Sequence, residues 1–383
     1  MPLVQSIRMV TTNLLQCIDD WTKAFESRIP VDVIYLDFSK AFDRIPKRRL
    51  LLKLRSYGVT GTLLSWIEAY LSTRSFKVRV GQTFSILRPV TSGVPQGSVL
   101  GPLLFIIYIA DLPKLISSKS PFFADDSKIY DHSSNHDNIQ EDLNIIYQWC
   151  ETWLLPLNTD KCTVLYFGPD NPMNSYWLGN HRLKEETSHC DLGVTVTNKL
   201  EWSTHIANIC NKANRQLYLI SRTFVSLNIA LTKKLYITYV RPILEYCGSV
   251  WSCDLIRDTN QLEAVQRRAT RLPFGRTRPS YEERLEMYGL DTIANRRSCG
   301  DQIFTFKVLH NIIGSNLAYM YRLNINDRLR RHQFNLIKER TSSRSRSNFL
   351  VNRVVNQWNS LPDTIVNSPS VNCFKNRFDA FNL

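Results

Sequence analysis

Two adjacent carboxylates, Asp125 and Asp126, follow the apolar residues Phe123 and Ala124. Like charges side by side repel each other and favour protonation unless a cation or water offsets them. The pair therefore either binds a divalent cation or lies in a solvated turn, where Asp is common. The pair alone does not decide between these two interpretations, so the other acidic positions matter.

A third carboxylate, Asp37, ends a run of β-branched and apolar residues that begins at Val31. This composition is typical of a buried strand. The segment 46–57 then carries leucines separated by Lys and Arg, which predicts an amphipathic helix. The sequence therefore predicts a strand that delivers an acid to the point where a helix begins.

A glycine-punctuated segment, residues 92–98 (SGVPQGS), lies between the two acidic sites. Glycine lets the backbone approach a ligand closely, as a phosphate or a base would require, although such a segment is also an ordinary turn. The apolar stretch 100–110 that follows predicts a buried helix. The order along the chain is a strand with Asp, a glycine loop with a helix, and then a hairpin with Asp-Asp.

That order resembles the palm domain of reverse transcriptases. Residues 35–43 (YLDFSKAFD), 92–98 and 123–126 (FADD) resemble motifs A, B and C of non-LTR (LINE-type, jockey- or CR1-like) retrotransposons. Residues 157–162 (LNTDKC) resemble motif D, and residues 191–194 (DLGV) resemble the leucine-glycine element near the primer grip. The retroviral type usually has Tyr-X-Asp-Asp at motif C. The resemblance covers essentially the whole chain, with specific motifs only from about 31 to 194, and it implies an RNA-directed DNA polymerase.

The resemblance also implies a mechanism. A primer 3′-hydroxyl attacks the α-phosphorus of a deoxynucleotide, and two Mg²⁺ ions about 3.5–4 Å apart activate the attacking oxygen and neutralise the leaving one. Magnesium takes oxygen ligands, so it suits Asp rather than His or Cys, with Mn²⁺ as an alternative ion. Asp37 and Asp125 are the expected bridging ligands and Asp126 the third, while Phe38 would contribute only its backbone carbonyl.

Other roles carry over from the motifs residue by residue. Phe42 matches the aromatic steric gate that excludes a ribose 2′-hydroxyl, or it is a core aromatic, since Phe is often buried. Gln96 matches the motif B glutamine near the incoming nucleotide, with Gly97 beside it. Lys161 matches the motif D lysine proposed as an acid for the leaving pyrophosphate, or it is a solvated surface charge.

The composition fits a polyanionic partner. The chain has a formal net charge of +14 and an isoelectric point near 9.4. Residues 257–383 hold 21 basic and 11 acidic residues, a net of +10, which suits a template-primer backbone or a solvated cationic surface. Arg267, Arg268 and Arg271 form either a phosphate-facing array or an exposed helix face. The implied partners are an RNA template, a DNA primer and deoxynucleoside triphosphates.

The predicted fold class is α+β, with a palm of antiparallel sheet and packing helices, a helical thumb and a helical carboxyl-terminal region. Residues 1–200 are assigned to the palm with residual fingers, 201–278 to the thumb and 279–383 to the basic carboxyl-terminal region, with a flexible stretch near 341–348. Before motif A, only residues 6–12 resemble the fingers. The chain is therefore interpreted as truncated at its amino terminus, without the basic residues that clamp the triphosphate.

Local patterns add further elements. Residues 76–80 and 84–87 alternate around Gly81 and predict a hairpin, and residues 139–154 predict a helix. From residue 202 an apolar stripe predicts a long helix, and a second helix is expected from about 230 to 240, ending near Pro242.

The cysteines and the hydropathy of the chain indicate which compartment and which kinds of site to expect. The nine cysteines include no C-x-x-C pair, so a zinc knuckle is not expected, and their odd number indicates a reducing compartment. The longest apolar run, residues 99–110, is too short to span a bilayer, and nothing at the amino terminus has the charged-then-apolar layout of a signal peptide. We expect the protein to act in the cytoplasm or nucleus without a membrane partner. The sequence does not indicate an oligomeric state.

Two functional classes stay open on the sequence alone. The first is an active reverse transcriptase, which the intact carboxylates favour. The second is a catalytically inactive retroelement remnant that binds RNA or DNA through its basic thumb, which the short fingers region favours. An intron maturase relative is a weaker third alternative, because the splicing domain that normally follows its palm is not recognisable.

Overall fold

A computed structural model describes residues 10–252, 255–275, 278–314, 317–324 and 332–381. Its strands are β1 Val31–Asp37, β2 Ser75–Phe76, β3 Arg79–Val80, β4 Thr83–Phe84, β5 Arg88–Pro89, β6 Phe122–Phe123, β7 Asp126–His132, β8 Thr163–Phe167, β9 Trp177–Leu178, β10 His181–Arg182, β11 Lys184–Glu186, β12 Ser188–Asp191 and β13 Val194–Thr197.

The helices make up the larger part of the structure. They are α1 Val10–Glu26, α2 Ala41–Arg44, α3 Lys47–Ser56, α4 Gly61–Ser72, α5 Leu100–Ile109, α6 His136–Trp153, α7 Ser203–Thr223, α8 Ile229–Leu235, α9 Arg241–Glu245, α10 Ile256–Ala269, α11 Tyr281–Tyr288, α12 Ile293–Leu309, α13 Arg344–Ser347, α14 Leu350–Arg353, α15 Val355–Ser360, α16 Asp363–Val366 and α17 Val371–Phe381. In the described part of the chain, none combines the length and apolarity needed to cross a membrane.

The chain divides into two compact units. Among the described residues, the first unit comprises 29–187, and the second comprises 10–28 together with 188–381. Helix α1 therefore belongs with the second unit, although residues 6–12 were interpreted as the edge of the fingers; residues 6–9 lie outside the described residues. The boundary near 187 also differs from the one expected near 200. The palm, thumb and carboxyl-terminal assignments remain predictions.

A five-stranded sheet, in the order β11-β8-β1-β7-β6, forms the centre of the first unit. Strand β1 pairs antiparallel with β7 and β8, and β11 adds to β8 in parallel at the edge. Because β1 is central and covered on both faces, all of its residues except Asp37 are buried, including Asp32. Helices α3, α4, α5 and α6 contribute buried side chains to the core. The predicted α+β class is confirmed.

The local predictions for the first unit agree with the structure. Strand β1 and helices α3, α5 and α6 lie where the patterns placed them, each within a few residues. The predicted hairpin is present as β3 and β4, joined at Gly81, whose φ of 61° suits a tight turn.

The predicted helix end at Pro242 is wrong. Helix α8 continues through a π-helical turn, Tyr236–Val240, into α9, and Pro242 lies in the first turn of α9. Proline is favoured in the first turn of a helix because its fixed φ suits the helical backbone. Pro242 thus follows a π-helical turn and does not end the helix.

The predicted flexible stretch at 341–348 is also wrong. Residues 344–347 form α13, and the Arg346 side chain is buried. Arg346 makes ion pairs with Asp19 of α1 at 2.7 Å and with Glu339 at 2.8 Å. Nearby, although burial opposes the effect, hydrogen bonds from Ser342 and Ser343 lower the pKa of Glu26 to about 2. Serine and arginine here anchor the segment to α1.

A buried histidine gives the second unit a pH dependence. His205 on α7 is 1% exposed, and its Nδ1 accepts a hydrogen bond from the Thr195 N–H at 3.1 Å. Burial, with the Arg297 guanidinium nearby, lowers the pKa of His205 to about 4 from an ordinary value of 6.5. The unfolded chain then binds more protons between pH 6.5 and pH 4, so acidification through this window favours unfolding.

We expect this histidine to lower the free energy of unfolding by about 2 kcal/mol between pH 7 and pH 5. Urea denaturation at both pH values measures the change. The His205→Asn variant keeps an acceptor for Thr195 and should lose this part of the pH dependence. Equal pH dependence in the variant and the parent protein would contradict the assignment.

Candidate active site

The acidic residues singled out in the sequence lie at one corner of the sheet in the first unit. Asp37 is the last residue of β1 and is the direct ladder partner of Asp126, the first residue of β7. Asp125 occupies the tight turn between β6 and β7, after Ala124 with a φ of 53°. Directly opposed residues of an antiparallel pair share one face of the sheet, and like charges there are destabilising. The fold therefore keeps an electrostatically unfavourable pair at this corner.

The backbone beyond Asp37 is held by the motif D segment. Ser39 N–H donates to the Pro156 carbonyl at 2.8 Å, and Asn158 N–H donates to the Asp37 carbonyl at 2.7 Å. Because successive carbonyls of an extended chain point to opposite edges, the Phe38 carbonyl faces the β7 side. The Phe38 side chain is buried in the core. Only its backbone is therefore available to Asp37, Asp125 and Asp126, here called the acidic corner.

The same segment brings a cation to Asp37. Lys161 Nζ lies 3.7 Å from Asp37 Oδ2, and both side chains are substantially exposed. The Asp37 N–H donates to the Cys162 Sγ at 3.4 Å, and burial raises the pKa of this thiol to about 11. Cys162 is thus a neutral buried acceptor, while Lys161 is the charged group beside the carboxylate.

The glycine loop 92–98 packs on the last residues of motif A. Val94 N–H donates to the Phe42 carbonyl at 2.8 Å. Gly93 has a φ of 80°, and a Cβ there would lie 2.6 Å from the Phe42 carbonyl oxygen and 2.7 Å from the Asp43 Cα. The close approach that Gly93 permits is therefore to the protein's own backbone rather than to a ligand.

Three predicted nucleotide-site residues lie on or against this loop. Phe42 is half-buried and stacks on Phe105 at 4.7 Å, so its ring is partly a core aromatic. The exposed Gln96 donates from Nε2 to Asp43 Oδ1 at 2.9 Å. Gly97, with a φ of 77°, has open space where a Cβ would stand. A ligand could approach the loop at Gly97 but not at Gly93.

The predicted metal ligands fit Mg²⁺ in chemistry but are not drawn together. Carboxylate oxygens and a backbone carbonyl are the hard ligands that Mg²⁺ prefers. Within the described residues, no three His, Cys, Asp or Glu side chains converge closely enough to hold a metal ion. Asp37, Asp125 and Asp126 therefore share a corner of the sheet without forming a closed cluster.

The three arginines of the predicted phosphate array do not share one arrangement. Arg268 donates to Asn214 Oδ1 at 3.0 Å, and the Arg267 guanidinium lies 4.8 Å from the centre of the Tyr281 ring. Arg271 follows the end of α10 at Ala269. All three are exposed, but they face different neighbours.

The sequence reasoning missed the residues that fix the glycine loop. Asp43 binds Gln96, and its carbonyl also accepts a hydrogen bond from Ser92 Oγ at 2.7 Å. Arg74 Nη2 donates to the Gly93 carbonyl at 3.1 Å. Asp43 is the last residue of motif A (residues 35–43). Its place in that motif is the one feature of the sequence that indicates a functional role.

The part of the chain that contains this site is similar to a known protein family. Residues 12–202 match the family model described as "Reverse transcriptase (RNA-dependent DNA polymerase)". The chain belongs to the reverse transcriptase family. The matched reverse transcriptase region contains the acidic corner, the glycine loop and Lys161, and it includes residues of both compact units.

Several retrotransposon proteins of Drosophila melanogaster are similar to this reverse transcriptase family member. The probable RNA-directed DNA polymerase from transposon BS is 28% identical over 70% of this chain, and the match covers 31% of that protein. The RNA-directed DNA polymerase from mobile element jockey is 28% identical over 62% of the chain and 28% of its own length. The probable RNA-directed DNA polymerase from transposon X-element is 28% identical over 66% and 29%.

The chain thus spans about 30% of the length of these curated relatives. Among solved structures, telomerase from Candida albicans in complex with a fragment of telomeric RNA is similar at 14% identity and a TM-score of 0.43. That similarity covers 76% of this chain and 54% of the other.

Proposed function

We propose that the chain is an RNA-directed DNA polymerase that transfers deoxynucleotides to a primer 3′-hydroxyl on an RNA template. One observation carries the proposal: the fold pairs Asp37 directly with Asp126 beside the Asp125 turn and adds Lys161 at 3.7 Å. Like charges directly opposed on one face of a sheet cost folding stability, and such a cost is expected at a site of catalysis. The cytoplasm or nucleus is the proposed location.

In this proposal Asp37, Asp125 and Asp126, with the Phe38 carbonyl, would hold two Mg²⁺ ions. When bound, the two ions activate the attacking hydroxyl and stabilise the negative charge of the leaving pyrophosphate. Three carboxylates that repel one another in the free protein are suited to a divalent cation, which offsets their charge. Mn²⁺ satisfies the same oxygen ligands.

The remaining residues of the site act on the nucleotide and the leaving group. Lys161 would donate a proton to the departing pyrophosphate, and its 3.7 Å distance from Asp37 supports this role. Phe42, held by its stack on Phe105, limits the space beside the sugar. Gln96 and the open backbone at Gly97 contact the incoming deoxynucleotide.

Primer extension on an RNA template with purified protein, Mg²⁺ and deoxynucleotides tests the function. The doubly substituted Asp125→Ala, Asp126→Ala protein is the negative control. Extension by the parent chain that disappears in the control supports the proposal. No extension by the parent chain at any template or metal concentration would reject it.

The second candidate function is binding without synthesis. The exposed Arg267, Arg268 and Arg271 favour it, because they could contact nucleic-acid phosphates whether or not the acidic corner is active. Binding of RNA or DNA that weakens steeply with salt, together with no primer extension, would support this alternative.

The contact between Gln96 and Asp43 gives a further prediction. Removing the acceptor in Asp43→Ala should release Gln96 and raise the KM for the deoxynucleotide about five- to tenfold, as expected for an exposed hydrogen bond to a charged group. The effect on kcat should be smaller, since Asp43 does not touch the acidic corner through any described contact. Asp43→Asn keeps an oxygen acceptor and should retain most of the affinity. Steady-state kinetics of single-nucleotide addition measure both constants, and an unchanged KM in Asp43→Ala would contradict the role.

A further inference from the structure

Residues 74–90 of the first unit form an exposed β-ribbon, here called the basic ribbon. Its strands pair as β2 with β5 and as β3 with β4, and every residue from 75 to 89 is exposed. Six large apolar side chains are among them: Phe76, Val78, Val80, Phe84, Ile86 and Leu87. Contiguous apolar side chains on a surface mark an interaction site.

The charge of the basic ribbon selects the kind of partner. Residues 69–110 contain no Asp or Glu, and the cations within them are Arg74, Lys77, Arg79 and Arg88. Three of these four lie in the exposed part of the ribbon. A surface that carries cations and no acidic side chain attracts negatively charged partners and repels positively charged ones. The partner should therefore carry repeated negative charge together with apolar faces.

The register of the basic ribbon repeats one combination of side chains. Phe76 is the direct partner of Arg88 in one ladder, and Phe84 is the direct partner of Arg79 in the other. Lys77 Nζ lies 4.3 Å and the Arg79 guanidinium 5.6 Å from the centre of the Phe84 ring. Phe84 therefore has two cations near its ring, and Phe76 has Arg88 as its ladder partner. Unpaired nucleic acid is bound in this way, with bases stacked on rings and phosphates held by nearby cations.

The base of the basic ribbon is continuous with the glycine loop. Val90 N–H donates to the Arg74 carbonyl at 2.9 Å, and Arg74 in turn donates to the Gly93 carbonyl at 3.1 Å. Lys47 Nζ also donates a hydrogen bond to the Val90 carbonyl. A strand lying along the ribbon would thus be led to the loop that carries Gln96.

We propose that the basic ribbon binds an unpaired nucleic-acid strand, the part of the template that has not yet been copied. The choice of a template strand rests on the proposed function. Phe76 and Phe84 stack on bases, while Arg79, Arg88 and Lys77 contact phosphates. A second copy of the chain and an anionic lipid surface are the competing occupants, and the test separates them.

The test compares binding of a fluorescent single-stranded RNA of about 16 nucleotides by anisotropy. The Phe76→Leu, Phe84→Leu variant keeps apolar area but loses the rings, and should bind about tenfold more weakly for each ring replaced. The Arg79→Gln, Arg88→Gln variant should reduce the slope of log affinity against log salt by about 1.4. Replacing two exposed cations elsewhere in the unit, Arg55→Gln and Lys114→Gln, is the charge-matched control and should leave that slope unchanged.

Three outcomes would overturn the proposal. The first is parental RNA affinity in the leucine variant, since only docking on apolar area tolerates Phe→Leu. The second is a dimer in sedimentation that the Phe76→Ser, Phe84→Ser variant converts to a monomer. The third is binding to vesicles of anionic lipid that the serine variant abolishes while RNA affinity stays the same. Unchanged circular dichroism spectra would show that the variants fold.

Primer extension separates this inference from the proposed function. The leucine variant should lose more activity on templates with a long unpaired overhang than on templates with a single unpaired nucleotide. A parent chain that extends no primer but binds RNA through the basic ribbon would reject the proposed function and retain this inference. Equal loss on both kinds of template would contradict a role in holding the uncopied strand.

Discussion

Replacing Asp37 with asparagine is expected to lower the rate of nucleotide addition by about 10³-fold, the scale set by losing one electrostatic group at a reacting centre. Asp37 is the ladder partner of Asp126 and lies 3.7 Å from Lys161. Asparagine has the same shape as aspartate, so the sheet is preserved while the charge is lost. Single-turnover primer extension with saturating Mg²⁺ measures the rate.

Two further measurements distinguish a catalytic role of Asp37 from a structural one. In metal-free buffer the unfolding temperature of the variant should change little, because the lost repulsion from Asp126 and the lost attraction of Lys161 oppose each other. Added Mg²⁺ should raise the unfolding temperature of the parent protein more than that of the variant, since a ligand stabilises only the state that binds it. Asp137→Asn, at an exposed position of the same unit, is the matched control. A rate within threefold of the parent would contradict the proposed role.

Replacing Arg346 with methionine should destabilise the second unit by about 3 kcal/mol, the lower end of the range for a broken buried ion pair, since Asp19 keeps only the half-exposed Lys23 as a charged partner. The Arg346 and Asp19 side chains are 2% and 0% exposed, and their atoms lie 2.7 Å apart. Loss of the guanidinium also leaves Glu339 without its 2.8 Å contact. Urea denaturation followed by tryptophan fluorescence measures the free energy of unfolding.

A double variant gives the decisive comparison. Arg346→Met combined with Asp19→Leu removes both buried charges and should recover at least half of the lost stability, because apolar pairs often replace buried ion pairs without loss. Arg346→Lys keeps the charge but not the planar fork and should fall between the parent and Arg346→Met. A double variant less stable than Arg346→Met would show that packing, rather than charge pairing, governs this site.

Local sequence patterns were sufficient for the elements that carry the acidic corner. The apolar run before Asp37 predicted β1 because a central strand is buried on both faces, and this property is visible in a few neighbouring residues. Likewise, the leucines of α3 and the alternation around Gly81 depend only on local periodicity. The placement of Asp37 at the end of β1 follows from these elements.

Contacts between distant parts of the chain were not predictable. Asp43 and Gln96 are 53 positions apart, and no local pattern indicates that they meet. Residues 341–348 were predicted to be flexible because serine and arginine are typical of linkers, yet Arg346 pairs with a residue 327 positions away. The proline at 242 misled for a different reason, since its effect depends on whether it begins or interrupts a helix.

The pairing of Asp19 with Arg346 has a consequence for synthesis of the protein on the ribosome. Helix α1 is made early with its own Lys23 beside Asp19, but the buried guanidinium of Arg346 that also pairs with Asp19 lies 327 positions later. At about 5–20 residues per second, the helix waits roughly 15 to 60 s for that partner. During this interval Leu14, Ile18 and Trp21, all fully buried in the finished structure, have no completed unit to pack into. Nascent chains of this protein should therefore depend on chaperones that shield α1. Residues 29–187 form one compact unit, so the chain that they pack against is synthesised much earlier.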